Sequence, residues 1–334
     1  MPRKPAARIL KGTPRNLELL ARRLRAGDIV GVPTETVYGL AADALNPAAC
    51  RKIFEAKGRP VSDPLIVHLH SLHDLAKVAV ANSAALKLAE TFWPGPLTLV
   101  LPKLEVVPSI VSAGLPSVAV RVPAHPLFRR LLKLVGRPLA APSANPFGYI
   151  SPTTAEHVRS GLGTKIRYIL DGGASGIGLE STIVDLRNPA KPRLLRPGAI
   201  TREQLTETLG CAVAWRPQRS GQIAKPQLAP GSLLRHYSPL TPLVIHARPS
   251  VALATRSAPD EAWLFISKPA GTLSKNIYWL DRGGNLRAAA RRLFAQLRLL
   301  DTKGYCKIHA ELAGANETGP AAAINDRLRR AAAK

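Results

Sequence analysis

The stretch VGVPTETVYGL, residues 30–40, joins a short apolar strand signal to a polar segment. Pro33 cannot donate to a sheet ladder, so the strand predicted over Ile29–Val32 should end before it. Two threonine hydroxyls and one carboxylate follow directly. In open α/β sheets ligands bind beyond the ends of strands. This segment is therefore either a polar turn or part of a ligand site.

Strand and helix signals alternate along the first part of the chain, which is typical of an α/β domain. The predicted strands are Ile29–Val32, Leu65–Leu69, Leu97–Leu101, Val118–Val122, Pro138–Ala141, Tyr168–Leu170 and Thr182–Asp185. The predicted helices include Pro47–Ala56, Ser83–Thr91, Pro126–Val135 and Thr154–Ser160. Asn46 before Pro47 has the pattern of a helix cap followed by proline at the first helical position.

A second, smaller α/β unit is predicted after a change in composition. Residues 216–230 are rich in Gln and Pro, also contain Lys and Gly, and have no apolar period, which indicates a linker. Strands are predicted beyond it at Leu243–His246, Ala262–Ile266, Ile277–Leu280 and Cys306–Ala310. Helices are predicted over Asn285–Leu300 and Ala321–Ala332. We divide the chain into a first domain over 1–212, a linker over 213–240 and a C-terminal domain over 241–334.

The chain is strongly basic. Its 334 residues include 47 Lys and Arg against 22 Asp and Glu, a formal net charge of +25. Such an excess attracts polyanions, which include nucleic acid, nucleotides and anionic membrane surfaces. The cations form no long run, so a general solubility role is the alternative. Hydrophobic residues make up 46% of the chain, enough for a sizeable core.

Cysteine usage and hydropathy indicate the compartment. Cys50, Cys211 and Cys306 are widely spaced and form no CxxC motif. This pattern suits a reducing environment and argues against a disulfide framework or a zinc site. The basic N-terminus leads into no apolar segment, and no apolar run reaches about 18 residues. We therefore expect a cytoplasmic protein with no secretory signal and no membrane partner.

Lys57 and Arg59 flank Gly58 at the end of a predicted helix. A glycine lets the backbone approach a ligand closely, and the two cations suit phosphate oxygens. A glycine cap with cations that favour the helix dipole is the alternative. The segment is not a P-loop, because GxxxxGK[ST] does not occur in the sequence.

His68 and Arg121 each lie inside an apolar strand signal. A lone histidine in such a strand is usually a structural residue. A cation there is costly unless it is paired. Arg121 is therefore predicted either to bind a carboxylate or to form an internal salt bridge.

Small residues and glycines occupy several predicted turns. Ser143 and Asn145 offer short hydrogen-bonding groups that suit a nucleotide or an ordinary tight turn. Similar turns occur at DGG (171–173), GLEST (178–182) and RPG (196–198). A serine-nucleophile motif and metal-ligand spacing are both missing from the sequence. The predicted chemistry is thus positioning and charge neutralisation around phosphates, without a covalent intermediate.

Together these segments resemble the YrdC-type family in its two-domain threonylcarbamoyl-AMP synthase form. The matching pieces are PTETVYGL (33–40), KIFEAKGRP (52–60), PLIVHL (64–69), FWPGPLTLVLP (92–102), SVAVRVPAHP (117–126), AAPSAN (140–145), SPTTAEHV (151–158), DGG (171–173), GLESTIVD (178–185) and LLRPG (194–198). LAPGSLLRHYSP (228–239) resembles the linker motif of that family. NLRAAARRLFAQLR (285–298) and AAINDRLRRAA (322–332) resemble its C-terminal domain. The resemblance implies an α/β protein with a YrdC-like twisted open sheet and a smaller, Rossmann-like C-terminal domain.

The resemblance also implies a reaction. L-threonine, bicarbonate or CO2, and ATP would give threonylcarbamoyl-AMP and pyrophosphate, with Mg2+ accompanying ATP and no organic prosthetic group. The product would pass to a separate threonylcarbamoyl transferase complex that modifies tRNA to threonylcarbamoyladenosine. Direct contact with tRNA stays open.

Site residues follow from the same resemblance. The residues implied to hold threonine are Thr36, His68, Arg121, Ala141 and Ser181. The residues implied to hold ATP are Lys57, Arg59, Asp63, Ser117, Ser143, Asn145, Ser151, Arg196, His236 and Tyr237. Asp63 stands where the family often has Asn. Lys57 and Arg59 would stabilise charge, and the linker motif with His236 and Tyr237 would form a lid.

Two other functions compete with this one. An RNA-binding module would explain the charge, although an aromatic content of 5% counts mildly against base stacking. A carbamoyltransferase that uses carbamoyl phosphate is the third, since related domains occur inside such enzymes, but the extra modules they usually carry are missing from the sequence.

Overall fold

The structure, a computed structural model, describes residues 6–215, 236–314 and 318–333. The linker predicted over 216–230 lies outside the described residues.

Fifteen strands run through the described residues. They are β1 (Arg8–Lys11), β2 (Val30–Val32), β3 (Gly39–Asp43), β4 (Ile66–His68), β5 (Leu97–Pro102), β6 (Ser117–Arg121), β7 (Leu139–Ala140), β8 (Tyr168–Asp171), β9 (Thr182–Asp185), β10 (Arg193–Arg196), β11 (Ala214–Trp215), β12 (Leu243–His246), β13 (Glu261–Ser267), β14 (Ile277–Asp281) and β15 (Lys307–Glu311).

The same residues form ten α-helices and a 3-10 helix over Leu72–Lys77. The α-helices are α1 (Pro14–Arg25), α2 (Pro47–Lys57), α3 (Ser83–Phe92), α4 (Ser109–Ser112), α5 (Pro126–Val135), α6 (Ala155–Leu162), α7 (Arg202–Leu209), α8 (Val251–Arg256), α9 (Leu286–Asp301) and α10 (Gly319–Ala332).

Every strand and helix predicted from the sequence is present, with boundaries within two residues at each end. The strand after residue 29 ends at Val32, as Pro33 requires. Asn46 caps α2 by accepting from the Ala49 N–H, and Pro47 takes the first helical position. The prediction omits β1, α1, β3 and α7, among others.

The larger sheet has mixed strand directions. Its order among the described residues is β1-β8-β2-β3-β7-β4-β6-β5-β9-β10-β11. β2 runs parallel to β8 and antiparallel to β3. Helices cover both faces, since α1 and α5 bury leucines such as Leu17 and Leu131 on one side while α2, α3 and α6 pack on the other. This confirms the twisted, open α/β sheet.

The second sheet contains four parallel strands in the order β12-β15-β13-β14. α9 and α10 bury its apolar face, with Phe294 and Ile324 completely enclosed. α8 packs against the aromatic residues Trp263 and Phe265 on the opposite face. The arrangement confirms a smaller α/β C-terminal domain.

The two sheets are joined by a shared apolar cluster. Val37, Ile150 and Leu179 of the larger sheet's domain pack with Phe294 and other residues of the second. Gly178 is a point of very close approach: a Cβ built there would lie 2.4 Å from the backbone oxygen of Arg291. Any side chain at this position would push α9 away.

Hydropathy along the described helices gives one further result. Across residues 6–215, 236–314 and 318–333, no helix has both the length and the apolar character needed to cross a membrane.

Candidate active site

A pocket opens over one face of the larger sheet. Ile66 and His68 are two residues apart on β4, so both side chains lie on that face. Arg121 on β6 is paired in register with His68 and also lines the pocket. The segment after β2 folds over this face and contributes Thr34 and Thr36. The site is therefore built from a strand face as well as from a strand end, which the sequence analysis did not anticipate.

The predicted site residues divide into two layers. Ten of them line the pocket: Thr36, Arg59, His68, Arg121, Ala141, Ser143, Ser181, Arg196, His236 and Tyr237. The other five are buried but do not line the pocket: Lys57, Asp63, Ser117, Asn145 and Ser151. The structure thus brings together residues that are up to two hundred positions apart in the sequence.

The hydroxyl of Thr36 has a defined donor and acceptor role. The Thr34 hydroxyl donates to the Val37 carbonyl at 2.6 Å, so its single proton is used. The contact of 2.7 Å between the two threonine hydroxyls must then be donated by Thr36. Thr36 Oγ1 also accepts from Arg121 Nη1 at 2.9 Å. Both threonines after β2 therefore serve to orient Arg121.

Arg121 is buried and paired on three sides. Its Nε donates to the Gly95 carbonyl at 3.0 Å, and its Nη2 forms an ion pair with Glu35 Oε1 at 2.5 Å. Burial pushes the pKa of Glu35 upward, but the charge and hydrogen bond of Arg121 outweigh it and the pKa lies below its usual value. Of the two readings offered for Arg121, the structure shows the salt bridge, at a position where the guanidinium also faces the pocket.

His68 is a neutral ring on the pocket wall. Burial, with a smaller contribution from the charge of Arg121, lowers its pKa to about 3. Its Nδ1 is buried and has no hydrogen-bond partner within the described part of the chain. The ring packs against Phe128 at 5.4 Å between centroids. An unpartnered ring nitrogen in a pocket does not fit the satisfied structural histidine that the sequence pattern favours.

Ser181 lies just before β9, between a second hydroxyl and a second arginine. Its Oγ is 2.7 Å from Thr98 Oγ1 and accepts from Arg196 Nη2 at 3.1 Å. Arg196 Nε donates to the Ser181 carbonyl at 3.0 Å. Arg196 is thereby fixed against the pocket wall, with its guanidinium buried.

Arg59 is a buried cation in the loop that follows α2. Its Nε and Nη2 donate to the backbone carbonyls of Asp63 and Pro64, at 3.1 Å and 2.7 Å. Nη2 also lies 2.9 Å from Asp63 Oδ2. Burial lowers the pKa of Arg59 and raises the pKa of Asp63, although each partner's charge opposes the effect on the other. An added anion would relieve the cost of burying this cation.

Lys57 ends α2 and turns inward. Its Nζ donates to the carbonyls of Ser143 and Asn145 at 2.6 Å and 2.5 Å. Burial, followed by repulsion from Arg59, lowers its pKa well below the usual value. Gly58 follows with φ of 64°, the left-handed cap that the sequence suggests. Lys57 therefore supports the turn that carries Ser143 and lies behind the pocket wall.

His236 and Tyr237, the first two residues described after the gap at 216–235, line the pocket. Their rings meet edge to face at 4.1 Å, and both side chains are buried. Tyr237 has φ of 64°, a conformation that is strained for a residue with a large side chain. Burial, and then the charges of Arg59 and Lys57, keep the pKa of His236 well below its usual value.

A group of residues around Glu180 was not predicted from the sequence. Glu180 lines the pocket, and its Oε1 accepts from the Ser151 hydroxyl. Its Oε2 accepts from Arg327 Nε of α10 at 2.8 Å. Arg298 of α9 donates to the backbone carbonyls of Ile150 and Ser151. Because these partners come from the second domain, no local pattern could have assigned them to the site.

Two sequence models of protein families match the chain. A model named Sua5/YciO/YrdC, with the description "Telomere recombination", matches residues 22–198. A model described as "Threonylcarbamoyl-AMP synthase, C-terminal domain" matches residues 200–333.

Relatives match nearly the whole chain. The threonylcarbamoyl-AMP synthase of Pyrococcus abyssi is 41% identical over 322 residues, which make up 94% of this chain and 93% of the relative. That of Bacillus subtilis is 40% identical over 321 residues, or 93% of this chain and 91% of the relative. A crystal structure of P. abyssi Sua5 complexed with L-threonine is similar with a TM-score of 0.89, at 38% identity and over 98% of each chain.

Proposed function

The chain belongs to the threonylcarbamoyl-AMP synthase family, and we propose that it joins L-threonine, bicarbonate or CO2, and ATP into L-threonylcarbamoyl-AMP with release of pyrophosphate. The observation that carries this proposal is electrostatic. A buried guanidinium, Arg121, and two further buried arginines, Arg59 and Arg196, face the same pocket. Two anionic substrates can meet in such a pocket because their repulsion is neutralised there.

The threonine half of the pocket consists, in this proposal, of Thr36, His68, Arg121, Ala141 and Ser181. Arg121 receives the substrate carboxylate, since a guanidinium fork matches carboxylate oxygens. The neutral His68 ring offers Nδ1 as an additional hydrogen-bonding atom. A relative that is similar over 98% of both chains was crystallised with L-threonine, which supports threonine as the substrate.

The nucleotide half consists of the remaining residues of the site. They are Lys57, Arg59, Asp63, Ser117, Ser143, Asn145, Ser151, Arg196, His236 and Tyr237. Buried polar atoms without a hydrogen-bond partner among the described residues include Ser117 Oγ, Asn145 Oδ1, His236 Nδ1 and Tyr237 OH. Such atoms are expected where a polar ligand completes the network.

The reaction needs charge stabilisation rather than a protein nucleophile. The threonine amine adds to CO2 and loses a proton; where bicarbonate is the source, it supplies CO2 by losing hydroxide, which takes up that proton as water. An oxygen of the resulting carbamate attacks the α-phosphorus of ATP while the bond to pyrophosphate breaks. Negative charge moves onto the leaving pyrophosphate, where Arg59, supported by Lys57, stabilises it. No side chain takes part in a covalent intermediate. A covalent protein adduct of AMP or of the threonylcarbamoyl group, detected by mass spectrometry, would contradict this.

Mg2+ is part of the proposal as a companion of ATP. Among the described residues no group of three or more His, Cys, Asp or Glu is placed to hold a metal ion. The carboxylates nearest the cations are already ion-paired, Asp63 with Arg59 at 2.9 Å and Glu180 with Arg327 at 2.8 Å. This donor set fits a metal carried by the phosphates. When bound, Mg2+ would withdraw charge from the pyrophosphate as it leaves.

Water must be kept from the acyl-phosphate product. We propose that the segment 213–240, most of which lies outside the described residues, serves as a linker and lid between a catalytic domain over 1–212 and the C-terminal domain over 241–334. His236 and Tyr237, at the end of that segment, line the pocket. A closed lid would exclude water and slow hydrolysis of the product. The product then passes to a separate transferase that modifies tRNA.

Pyrophosphate release tests the proposed function. The full chain with ATP, Mg2+, L-threonine and bicarbonate should release pyrophosphate, and mass spectrometry should detect threonylcarbamoyl-AMP. Omitting threonine or bicarbonate should each abolish the release. Release that does not depend on threonine would overturn the proposal, as would salt-sensitive RNA binding without any turnover.

A further inference from the structure

Arg327 is a cation of the second domain that is completely enclosed. It lies on α10 and has no solvent exposure. Its Nε donates to Glu180 Oε2 at 2.8 Å, and its Nη1 donates to the Pro197 carbonyl at 2.9 Å and to Asp326 Oδ2 at 2.7 Å. Thus one side chain of the second domain contacts two segments of the first domain, the one that precedes β9, at Glu180, and the one that follows β10, at Pro197.

Glu180 transmits this contact to the pocket. The residue is 5% exposed and lines the pocket, and its two carboxylate oxygens have different partners. Oε2 is held by Arg327, whereas Oε1 accepts from the hydroxyl of Ser151. The position of the Ser151 hydroxyl therefore depends on a carboxylate that Arg327 holds and neutralises.

Arg327 also supports Tyr237. Its guanidinium carbon lies 5.4 Å from the centre of the tyrosine ring, in cation–π geometry. Phe294 of α9 packs on the same ring at 5.4 Å. A tyrosine with φ of 64° keeps that conformation only when its surroundings hold it. These two supports belong to the second domain, and His236 of the linker segment packs on the same ring at 4.1 Å.

We propose that Arg327 is a positioning residue for the nucleotide half of the pocket, through which the second domain completes the ATP site. It acts by holding Glu180, and with it Ser151 and Tyr237, and it does not itself touch substrate. Removing its charge leaves the buried Glu180 carboxylate uncompensated in the pocket where ATP is proposed to bind, which repels ATP. The hydrogen bonds of Arg121 involve none of these residues. Ser181, which follows Glu180, keeps its own partners Thr98 and Arg196, so the threonine half should be affected much less than the nucleotide half.

The inference rests on the proposed function, and its test is the separation of two substrate requirements. Arg327→Met keeps most of the side-chain volume and removes the charge. We expect it to raise the apparent KM for ATP at least tenfold in the pyrophosphate-release assay, while the KM for threonine changes less than twofold. Arg327→Lys keeps the charge but lacks the forked guanidinium, and its KM for ATP should lie between those of the wild-type chain and Arg327→Met. Arg292→Met, an exposed arginine on α9, is the matched control and should leave both constants within twofold.

A second substitution tests the route through Glu180. Glu180→Gln removes the carboxylate charge that Arg327→Met leaves behind. The double variant should therefore have a lower KM for ATP than Arg327→Met alone, by threefold or more. A merely structural loss would instead be deepened by the second change. Equal increases in both KM values, or no recovery in the double variant, would overturn the proposal.

Calorimetric binding of ATP separates this test from the test of the reaction. The wild-type chain and Arg327→Lys are titrated with ATP and Mg2+ in the absence of threonine. Arg327→Lys is used because it retains the buried charge, and so serves even if Arg327→Met does not fold. ATP should bind more weakly to Arg327→Lys even if the wild-type chain releases no pyrophosphate with threonine. Equal affinities would contradict the role of Arg327 independently of the reaction.

Discussion

The two halves of the pocket differ in how completely their polar groups are paired. In the half proposed for threonine, Arg121 binds the Gly95 carbonyl, Thr36 and Glu35, and Thr36 has its own donor fixed by Thr34. Two buried atoms there, His68 Nδ1 and Glu35 Oε2, have no partner among the described residues. In the nucleotide half, Ser117, Asn145, His236 and Tyr237 each keep a buried polar atom without a partner among the described residues. An unmet buried hydrogen bond costs about 1–3 kcal/mol. Arg121 and Thr36 are therefore preorganised, whereas the nucleotide half has more buried polar atoms that gain their missing bonds when a polar ligand binds.

The origin of the supporting residues differs in the same way. Every hydrogen bond around Arg121 comes from the first domain, within residues 34–121. The nucleotide half receives Arg327, Arg298 and the ring of Phe294 from the second domain. In our proposal the second domain therefore serves the nucleotide side of the reaction, and the following predictions test this contrast.

Arg121→Ala should give the largest effect. It removes the fork proposed for the threonine carboxylate and leaves Glu35 buried without its cation, a loss of about 2–5 kcal/mol. The apparent KM for threonine in the pyrophosphate-release assay should rise at least about 100-fold, while the KM for ATP stays within about threefold. Arg130→Ala, an exposed arginine on α5, is the control. Parallel increases for both substrates would remove the distinction between the halves.

Gly178→Ala tests the docking of α9 from the second domain against the loop that carries Gly178 in the first. The Gly178 N–H donates to the Thr36 carbonyl at 3.1 Å, and a Cβ at this position, with φ of +80°, would meet the Arg291 backbone at 2.4 Å. We expect the free energy of unfolding in urea to fall by about 2–4 kcal/mol.

Gly176→Ala is the matched control for that substitution. A Cβ built at Gly176 meets no atom within 4 Å, so the free energy of unfolding should change by less than about 0.5 kcal/mol. If Gly178→Ala were equally harmless, α9 could not be docked against this loop as the structure has it.

His68→Gln should change the pH dependence of stability. His68 has a folded-state pKa of about 3, below the unfolded value of about 6.5. Between these values the unfolded chain binds a proton that the folded chain does not. Stability from this residue is thus present above pH of about 6.5 and is lost as the pH falls toward about 3, by up to about 1.4 kcal/mol per pH unit.

Urea unfolding between about pH 6 and pH 4 measures this slope, within the window that the two His68 pKa values define. In the His68→Gln variant the free energy of unfolding should fall less steeply with decreasing pH, by a slope that corresponds to at most one proton taken up on unfolding. His73→Gln, which changes an exposed histidine, should keep the wild-type slope. An unchanged slope in His68→Gln would mean that the ring is not buried in its neutral form.

Asp63→Asn should have the smallest effect. Asp63 shares Arg59 with the proposed phosphates, but Arg59 also keeps its two backbone carbonyl acceptors. Replacing the carboxylate by an amide removes repulsion toward ATP, so the KM for ATP should fall about twofold to fivefold, or roughly 0.5–1 kcal/mol. Asp74→Asn, distant on the 3-10 helix, is the control. A raised KM would show that the Asp63 charge helps to hold Arg59.

The sequence allowed the regular elements near the site to be predicted well. The strand that stops at Pro33, the Asn46-Pro47 helix start and the Gly58 cap each depend on the backbone preferences of one or two residues. Elements that lack such contrast were missed. β3 has the sequence GLAAD and is buried on both faces, so its residues show no alternation.

Ten of the residues predicted for the site line one pocket, but their arrangement could not be predicted. Lys57 was expected to stabilise phosphates, and the structure ties its Nζ to the backbone carbonyls of Ser143 and Asn145. The role of Glu35 was open, and the structure pairs it with Arg121. Burial and partners such as these depend on segments more than 80 residues apart. No local pattern encodes them.

The sequence by itself determined the α/β class, the order of the elements and the family, because strand periods, caps and ordered motifs are local properties of the chain. Only the tertiary structure decided which polar groups are paired. It placed Arg327 against Glu180, 147 residues away, and left Tyr237 buried with its hydroxyl unpartnered among the described residues. The physical reason is that the cost of a buried charge or dipole depends on every group packed around it, and only the folded chain brings those groups together.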